Sequence, residues 1–164
     1  MSLGNTGEFD REDGNLSRDR VEIASLSAAD LDDLVRIDRK LTGRDRRVYM
    51  ARKLDEALLD SGIRVSLVAR LEGMAVGYVM ARIDFGDMGH MQATAVIDTI
   101  GVNPDFAGRG IGRALLSQLL ANLRGLQVER VETTLAATEL GLLGFLSHCG
   151  FRPAERIALR KQIT

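Results

Sequence analysis

The chain has 164 residues, of which 45 % are hydrophobic and 27 % charged, with a formal net charge of −1. This length and composition predict one globular domain that is large enough to bury a core. The nearly balanced charge and an aromatic content of 4 % argue against nucleic acid as a partner. A single cysteine, Cys149, excludes an internal disulfide and fits a reducing compartment, so we expect a cytoplasmic protein.

Neither a membrane span nor a metal site is expected. No apolar run reaches the roughly 20 residues that a spanning helix needs. The N-terminus lacks the apolar stretch of a signal peptide. Two histidines and one cysteine are too few and too widely spaced for a structural zinc site, so no metal cofactor is predicted.

The elements are predicted from hydrophobic period and from Gly and Pro breaks. Residues 1–19 are polar and without period, which predicts a disordered tail and leaves residues 20–164 as a single domain. The tail could also derive from an expression vector. The predicted strands and helices are strand 20–25, helices 27–40 and 45–59, a hairpin of strands 64–71 and 74–85, loop 86–90, strand 94–102, helix 114–124, strand 128–136, helix 139–148 and strand 156–163.

A strand, a glycine-rich loop and a helix follow one another in the middle of the chain. The run 95–102 is apolar and β-rich, Asn103-Pro104 ends it, and Gly108, Gly110 and Gly112 alternate before an amphipathic helix. Such a loop presents free backbone N–H groups beside the positive end of the helix dipole. The stretch is therefore expected to bind phosphate.

These residues resemble the signature of the GCN5-related N-acetyltransferases, the GNAT superfamily, in which Q/R-x-x-G-x-G/A holds the pyrophosphate of acetyl-CoA. Residues 107–112 form the hexad here, and Ala107 stands where Arg or Gln is usual. A dinucleotide site of the G-x-G-x-x-G kind is the rival. It fits poorly because residues 103–107 separate the strand from the glycines and Arg113 fills the third glycine position.

The resemblance implies a fold, an activity and a set of cofactor contacts. The fold would be α/β, three layers α/β/α with a central mixed, largely antiparallel sheet. The activity would be direct transfer of an acetyl group from acetyl-CoA to a primary amine of a small molecule or protein. The backbone of the central strand would pair with the pantetheine arm, and the N–H near Ile100 would polarise the thioester. The implied cofactor-binding residues are Ile100, Gly101, Val102, Ala107, Gly108, Arg109, Gly110, Ile111, Gly112 and Arg113.

Asp98 is the candidate catalytic base. An aliphatic amine has a pKa of about 10, so a base that removes its proton helps near neutrality. Asp98 interrupts an apolar strand, and strict alternation would put it on the face of Ile100 and Val102. The alternative is a structural carboxylate that caps a backbone group or pairs with an arginine.

The proton donor to the leaving thiolate stays open. The tyrosine that the family usually carries before the final Gly-Phe maps to Leu146. Solvent, His148, Cys149 or a tyrosine from elsewhere, Tyr49 or Tyr78, could replace it. We therefore keep two alternatives: a CoA-binding regulatory module without turnover, and an acyltransferase for longer acyl groups, for which Gly141 and Gly144 could leave room.

The first two helices carry eight basic residues between positions 36 and 53. Their default interpretation is a solvated face, and the functional one is an acceptor that bears a carboxylate or phosphate. The sequence also leaves a homodimer open.

Overall fold

The computed structural model of the chain describes residues 21–59, 63–85 and 92–164. The predicted tail, the end of the second helix at 61–62 and the loop 86–90 lie outside the described residues. The elements are β1 (Val21–Ser25), α1 (Leu31–Thr42), α2 (Arg47–Leu59), β2 (Leu67–Leu71), β3 (Met74–Asp84), β4 (Thr94–Val102), α3 (Ile111–Gly125), β5 (Arg130–Thr133) and α4 (Leu140–His148). Short 3-10 turns cover Ala28–Asp30 and Pro104–Phe106.

The five strands form one mixed sheet in the order β1-β2-β3-β4-β5. The first four are antiparallel, and β5 runs parallel to β4. Glu72 (φ 51°) and Gly73 (φ 81°) connect β2 and β3 with two positive φ angles, the requirement of a type I′ turn. The predicted hairpin and the mixed, largely antiparallel sheet are confirmed.

Helices cover both faces of the sheet within the first of two compact units, which divide between Thr134 and Leu135. Tyr78 and Met80 on one face of β3 join the core that α1 and α2 bury. Gly77, on the opposite face, lies against Ile111 and Leu115 of α3. β3 is buried from Ala75 to Ala81 because helices cover both of its faces, so the three-layer α/β/α prediction is confirmed. The second unit contains α4.

The prediction of a last strand at 156–163 is wrong. The structure assigns no strand after residue 133, and every residue from 152 to 164 is exposed. Its apolar residues alternate with polar ones as a strand requires, but alternation only makes a segment able to pair. A strand forms only when the segment pairs with another strand, and residues 156–163 belong to no such pair.

No helix in the described parts of the chain is both long and apolar enough to cross a membrane.

Candidate active site

The sheet opens between β4 and β5. The parallel pairing runs from Thr94 to Ile97 on β4 and from Arg130 to Thr133 on β5. At the end of this pairing the Thr133 hydroxyl donates a hydrogen bond to the Ile97 carbonyl oxygen at 2.9 Å. Among the described residues, no strand pairs with 98–102 on the β5 side, although β3 pairs with this stretch on the other side. The second half of β4 therefore has one edge available to an extended, hydrogen-bonding ligand.

A β-bulge lies at Asp98. Thr99 opposes Met80 and Ile97 opposes Ala81, so Asp98 is the extra residue on β4. Asp98 forms an ion pair with Arg82. Arg82 alternates with Met80 and Tyr78 on β3, which places the Asp98 carboxylate on the α1/α2 side of the sheet.

This bulge breaks the strict alternation of faces that is predicted from the sequence. Ile100 opposes Val79 and Val102 opposes Gly77, so both lie on the α3 side, away from Asp98. A bulge shifts the alternation by one residue, and no turn or glycine signal in this part of the strand announces it. The expectation that Asp98 shares a face with Ile100 and Val102 is therefore wrong.

The glycine loop leads directly from β4 to α3. The Asn103 side chain accepts a hydrogen bond from the Asp105 N–H at 3.0 Å, which holds the 3-10 turn. Gly108 (φ 77°) and Gly110 (φ 75°) then adopt the left-handed conformation that glycine permits, and a Cβ at either would meet open space. The loop is thus bare of side chains at the two positions where it turns.

The N-terminus of α3 is not capped by a side chain. Its first backbone bond joins the Ala114 N–H to the Gly110 carbonyl at 2.9 Å, so the amides at 111–113 precede the helical ladder. Gly110 is the N-cap and has no side chain to accept from them. These donors and the helix dipole favour an anion at this end of α3.

Side chains of the loop divide between packing and exposure. Ile111 is 2 % exposed and contacts β3 with its side chain, so only its backbone faces the loop. Arg109 lies over the Phe106 ring at 5.2 Å, and Arg113 is exposed. Ala107 is also exposed, and its methyl group adds neither charge nor a hydrogen-bond donor at the helix end.

Tyr78 covers Gly101 on the α1/α2 side of the sheet. A Cβ on Gly101 would lie 2.8 Å from Cζ of Tyr78 and 2.9 Å from its hydroxyl oxygen. Burial raises the pKa of Tyr78 to about 12, with Asp38 adding to the shift and a Thr99 hydrogen bond and Arg46 opposing it. The phenol therefore remains protonated near neutrality. The sequence predicts Gly101 only as a cofactor contact and carries no signal of its packing against Tyr78.

A buried ion pair joins α1 to the start of α2. Asp38 is 3 % exposed and accepts two hydrogen bonds from the Arg46 guanidinium, at 2.9 Å from Nε and 2.5 Å from Nη2. The Asp38 hydrogen bond raises the pKa of Arg46. The guanidinium also lies 4.6 Å from the centre of the Tyr49 ring. The pair fixes the α1–α2 connection beside Tyr78.

Most of the basic residues between positions 36 and 53 are bound to carboxylates. Six of the eight form ion pairs, with Asp33, Asp45, Asp105, Asp38, Asp32 and Glu56 as their partners. Because these charges are largely compensated, the structure favours a solvated, ion-paired face over a site for an acidic acceptor.

The candidate acids of the second unit lie in or next to α4. Leu146 is buried, at 3 % exposure, and offers no proton. The exposed His148 donates from Nδ1 to the Gly144 carbonyl at 2.8 Å, a bond within its own helix. Cys149 is a half-buried free thiol. Open space surrounds the Cβ positions of Gly141 and Gly144.

The sequence model of the acetyltransferase (GNAT) family matches residues 31–151. That range includes β4, the glycine loop and α3, and it covers most of the chain. The protein belongs to this family of acetyltransferases.

Solved structures agree with this assignment at the level of the fold. The chain is similar to the aminoglycoside N-acetyltransferase AAC(6′)-Iy in complex with CoA, with 17 % identity, a TM-score of 0.71, and coverage of 87 % of this chain and 94 % of that one. It is also similar to a ribosomal-protein-alanine N-acetyltransferase from Brucella melitensis biovar Abortus 2308, with 19 % identity, a TM-score of 0.67, and coverage of 87 % and 99 %. An acetyltransferase from Trypanosoma brucei shares 24 % identity with a TM-score of 0.67 over 87 % and 99 %.

Proposed function

We propose that the protein is an acetyl-CoA-dependent N-acetyltransferase that passes the acetyl group directly to a primary amine of a small molecule or protein. The observation that carries this proposal is the free edge of β4 at 98–102, followed within ten residues by the uncapped N-terminus of α3. A ligand with a chain of amides and a diphosphate at one end needs these two features in this order.

The residues present fit the cofactor. The open space at Gly108 and Gly110 lets a diphosphate approach the backbone, and the amides at 111–113 supply donors. Arg109 and Arg113 add positive charge. The backbone of Ile100, Gly101 and Val102 would hold the amide-containing arm. Acetyl-CoA supplies an acyl group activated as a thioester.

The chain's own groups would then perform three tasks. The N–H at Ile100 donates to the acyl oxygen, where negative charge develops. The Asp98 carboxylate takes a proton from the acceptor amine, directly or through water, once its ion pair with Arg82 opens. Solvent protonates the thiolate, because Leu146 cannot and His148 is bound within its own helix.

A CoA-binding module without turnover is the second candidate. Three observations favour it. Asp98 is held in an ion pair, Leu146 is apolar and offers no proton, and Ala107 has only a short side chain. It differs from the enzyme in one measurable respect, because it binds CoA and releases no thiol from acetyl-CoA.

The test measures thiol release from acetyl-CoA and from a longer acyl-CoA with a panel of amines. An aminoglycoside and a peptide with N-terminal alanine belong in the panel, since two structural neighbours are acetyltransferases for such acceptors. Amine-dependent thiol release supports the enzyme, and faster release from the longer acyl-CoA identifies that group as the donor. Calorimetric binding of CoA with no release across the panel would support the regulatory module.

Gly110→Glu is the variant that tests the cofactor site, because it places a carboxylate where the diphosphate would lie. Glu at a positive φ costs about 1 kcal/mol of backbone strain. Gly73→Glu, at φ 81° in the β2–β3 turn and also with open space around it, is the matched control. We expect CoA binding to be lost in Gly110→Glu and kept in Gly73→Glu. Equal affinity in both variants would refute the assignment.

A further inference from the structure

The second half of β4 has less support from the sheet than the first half. β5 pairs with β4 only as far as Ile97. The bulge at Asp98 then interrupts the regular ladder between β4 and β3. Among the described residues, the stretch 98–102 therefore pairs with β3 alone, directly after an irregular position. Side chains that contact this stretch thus contribute to where its backbone lies.

The backbone N–H of Ile100 points to the open edge of β4. The Asn103 N–H donates to the Val76 carbonyl oxygen at 2.8 Å, so the backbone groups of Asn103 point to β3. Along an antiparallel strand, the backbone groups of alternate residues point to the same side. Gly101 therefore directs its N–H to β3, whereas the N–H groups of Val102 and Ile100 point away from β3.

The Tyr78 side chain contacts both neighbours of Ile100. Tyr78 lies opposite Gly101 in the register of β3 and β4. Its ring covers that glycine so closely that a Cβ there would lie 2.8 Å from Cζ and 2.9 Å from Cε1. The phenol is also hydrogen-bonded to the side chain of Thr99. One side chain thus restrains the residues on both sides of the Ile100 N–H.

The core under α1 and α2 holds Tyr78 itself in place. The side chain is 2 % exposed and packs in the cluster that includes Leu34 and Met80. A side chain in a closely packed core keeps one position, because other positions overlap its neighbours. Tyr78 therefore connects a rigid part of the molecule to the part of β4 that the sheet supports less.

We propose that Tyr78 is a positioning residue, which holds the Ile100 N–H where it polarises the thioester carbonyl of acetyl-CoA. The role rests on the proposed function, in which that N–H is the donor to the acyl oxygen. A preorganised donor stabilises developing charge only from the correct place, and a displacement of roughly 1 Å costs up to about 100-fold in rate. Tyr78 is buried, so it acts through Thr99 and Gly101 and not by touching the acyl group.

The first test removes the hydrogen bond from either end. Tyr78→Phe and Thr99→Val each delete one hydroxyl and keep the size of the side chain. We expect each variant to lower kcat by about tenfold, less than the loss of a whole oxyanion donor, because the N–H is displaced and not removed. The double variant should lose no more than either single variant, since both remove the same bond. Calorimetric affinity for CoA should stay within about twofold of wild type, because the interaction acts in the transition state.

Thr94→Val is the matched control. It makes the same change on the same strand, at a position where β5 pairs with β4. It should keep the wild-type kcat and the wild-type affinity for CoA. Circular dichroism verifies that all the variants fold.

A second test observes the donor without turnover. Acetyl-CoA labelled isotopically at its carbonyl carbon is bound to each protein in the absence of amine, and the infrared band of the thioester carbonyl is recorded. A hydrogen bond to the carbonyl oxygen lowers the frequency of this band, so wild-type protein should lower it relative to free acetyl-CoA. The lowering should be smaller in Tyr78→Phe and Thr99→Val, and unchanged in Thr94→Val.

The outcomes separate the positioning role from the proposed function. A wild-type band and a wild-type kcat in Tyr78→Phe would overturn the role and leave the enzyme standing. A loss of kcat matched by an equal loss of CoA affinity would also overturn it, because the substitution would then disturb the whole site. Wild-type protein that lowers the carbonyl frequency through Tyr78 and Thr99 but releases no thiol would support the role and refute the enzyme. Wild-type protein that binds acetyl-CoA with no change in the band would overturn the role.

Discussion

At the scale of single residues, two glycines and a tyrosine determine how closely other groups pack against the two faces of the sheet at its centre. Gly101 leaves room for the Tyr78 ring on one side. Gly77 leaves room for α3 on the other, since a Cβ there would be 3.0 Å from Cγ2 of Ile111. Close packing on both faces encloses the Tyr78 phenol, which is why its pKa rises to about 12.

The buried phenol predicts a loss of stability at alkaline pH. The pKa of Tyr78 is 10.0 unfolded and about 12 folded, so the unfolded chain loses its proton first as pH rises. The free energy of unfolding is unaffected by this group below pH 10 and falls between pH 10 and 12, by on the order of 2 to 3 kcal/mol. Urea unfolding should show a clearly larger fall in wild type than in Tyr78→Phe.

The same group can be observed directly. The chain has two tyrosines and no tryptophan, so Tyr49→Phe leaves Tyr78 as the single tyrosine chromophore. Tyrosinate absorbance in this variant should appear near pH 12. A titration near pH 10 in the folded variant would contradict the burial of the phenol.

Substitutions of Asp98 and Arg82 distinguish a catalytic role of the Asp98 carboxylate from a structural role of the ion pair. If Asp98 is the base, Asp98→Asn lowers kcat/KM on the order of 100-fold near neutral pH, and the loss shrinks at high pH where free amine is plentiful. Arg82→Gln removes the ion pair and keeps the carboxylate, so it should retain most activity. If the pair only holds the bulge, the two variants lose activity equally at every pH. Steady-state kinetics across pH distinguish these results.

At the scale of elements, the α1–α2 connection depends on one ion pair more than on the others around it. Asp38 is buried with Arg46 as its partner, whereas Arg39 and Asp45 both remain more than half exposed. A buried carboxylate that loses its partner still carries the free-energy cost of desolvation, and no attraction to a cation offsets that cost. Exposed pairs contribute little.

Arg46→Met is therefore expected to lower the free energy of unfolding by about 2 to 3 kcal/mol. Arg39→Met, the matched control in an exposed pair, should change it by less than about 1 kcal/mol. Adding Asp38→Leu to Arg46→Met should recover part of the loss, because the stranded carboxylate is removed. Equal effects of Arg46→Met and Arg39→Met in chemical denaturation would show that Asp38 is not buried as described.

The loop before α3 predicts a tolerant position at Ala107. This residue is exposed and its side chain is short, so the proposed anion site would depend on backbone amides. Ala107→Arg restores the side chain that the family usually carries and should leave CoA affinity unchanged or tighten it, by about 1 kcal/mol for a charge-assisted contact. Calorimetry showing clearly weaker CoA binding would mean that the loop is built differently.

Local signals predicted the elements well where residues carry strong preferences. Gly43, at φ 72°, ends α1 where the Thr42-Gly43 break predicted, and Asn103-Pro104 ends β4. The failures have a common cause, because each depends on a partner that is distant in sequence. The bulge at Asp98 is defined by register with β3, the burial of Tyr78 by β4 and α1, and a strand at 156–163 by whether the segment pairs with another strand.

At the scale of the whole molecule, the sheet is incomplete at β4 and the helix end beside it is uncapped. A ligand that pairs with β4 and also binds the end of α3 would connect these two parts of the first unit. Binding only to the folded state stabilises it by mass action.

CoA at 100 times its dissociation constant should thus raise the free energy of unfolding by about 2.7 kcal/mol. Gly110→Glu should show no such gain, and Gly73→Glu should show all of it. Thermal unfolding with and without CoA measures the difference. A similar gain in all three proteins would place the ligand away from the glycine loop.

The packing of Tyr78 on Gly101 also constrains how this sequence can diverge. Any side chain at position 101 collides with the tyrosine, so a first mutation there is harmful while Tyr78 remains. A smaller residue at position 78 opens the space but leaves a cavity. The two sites should therefore change together, and a library that randomises both should return functional pairs in which one residue grows as the other shrinks.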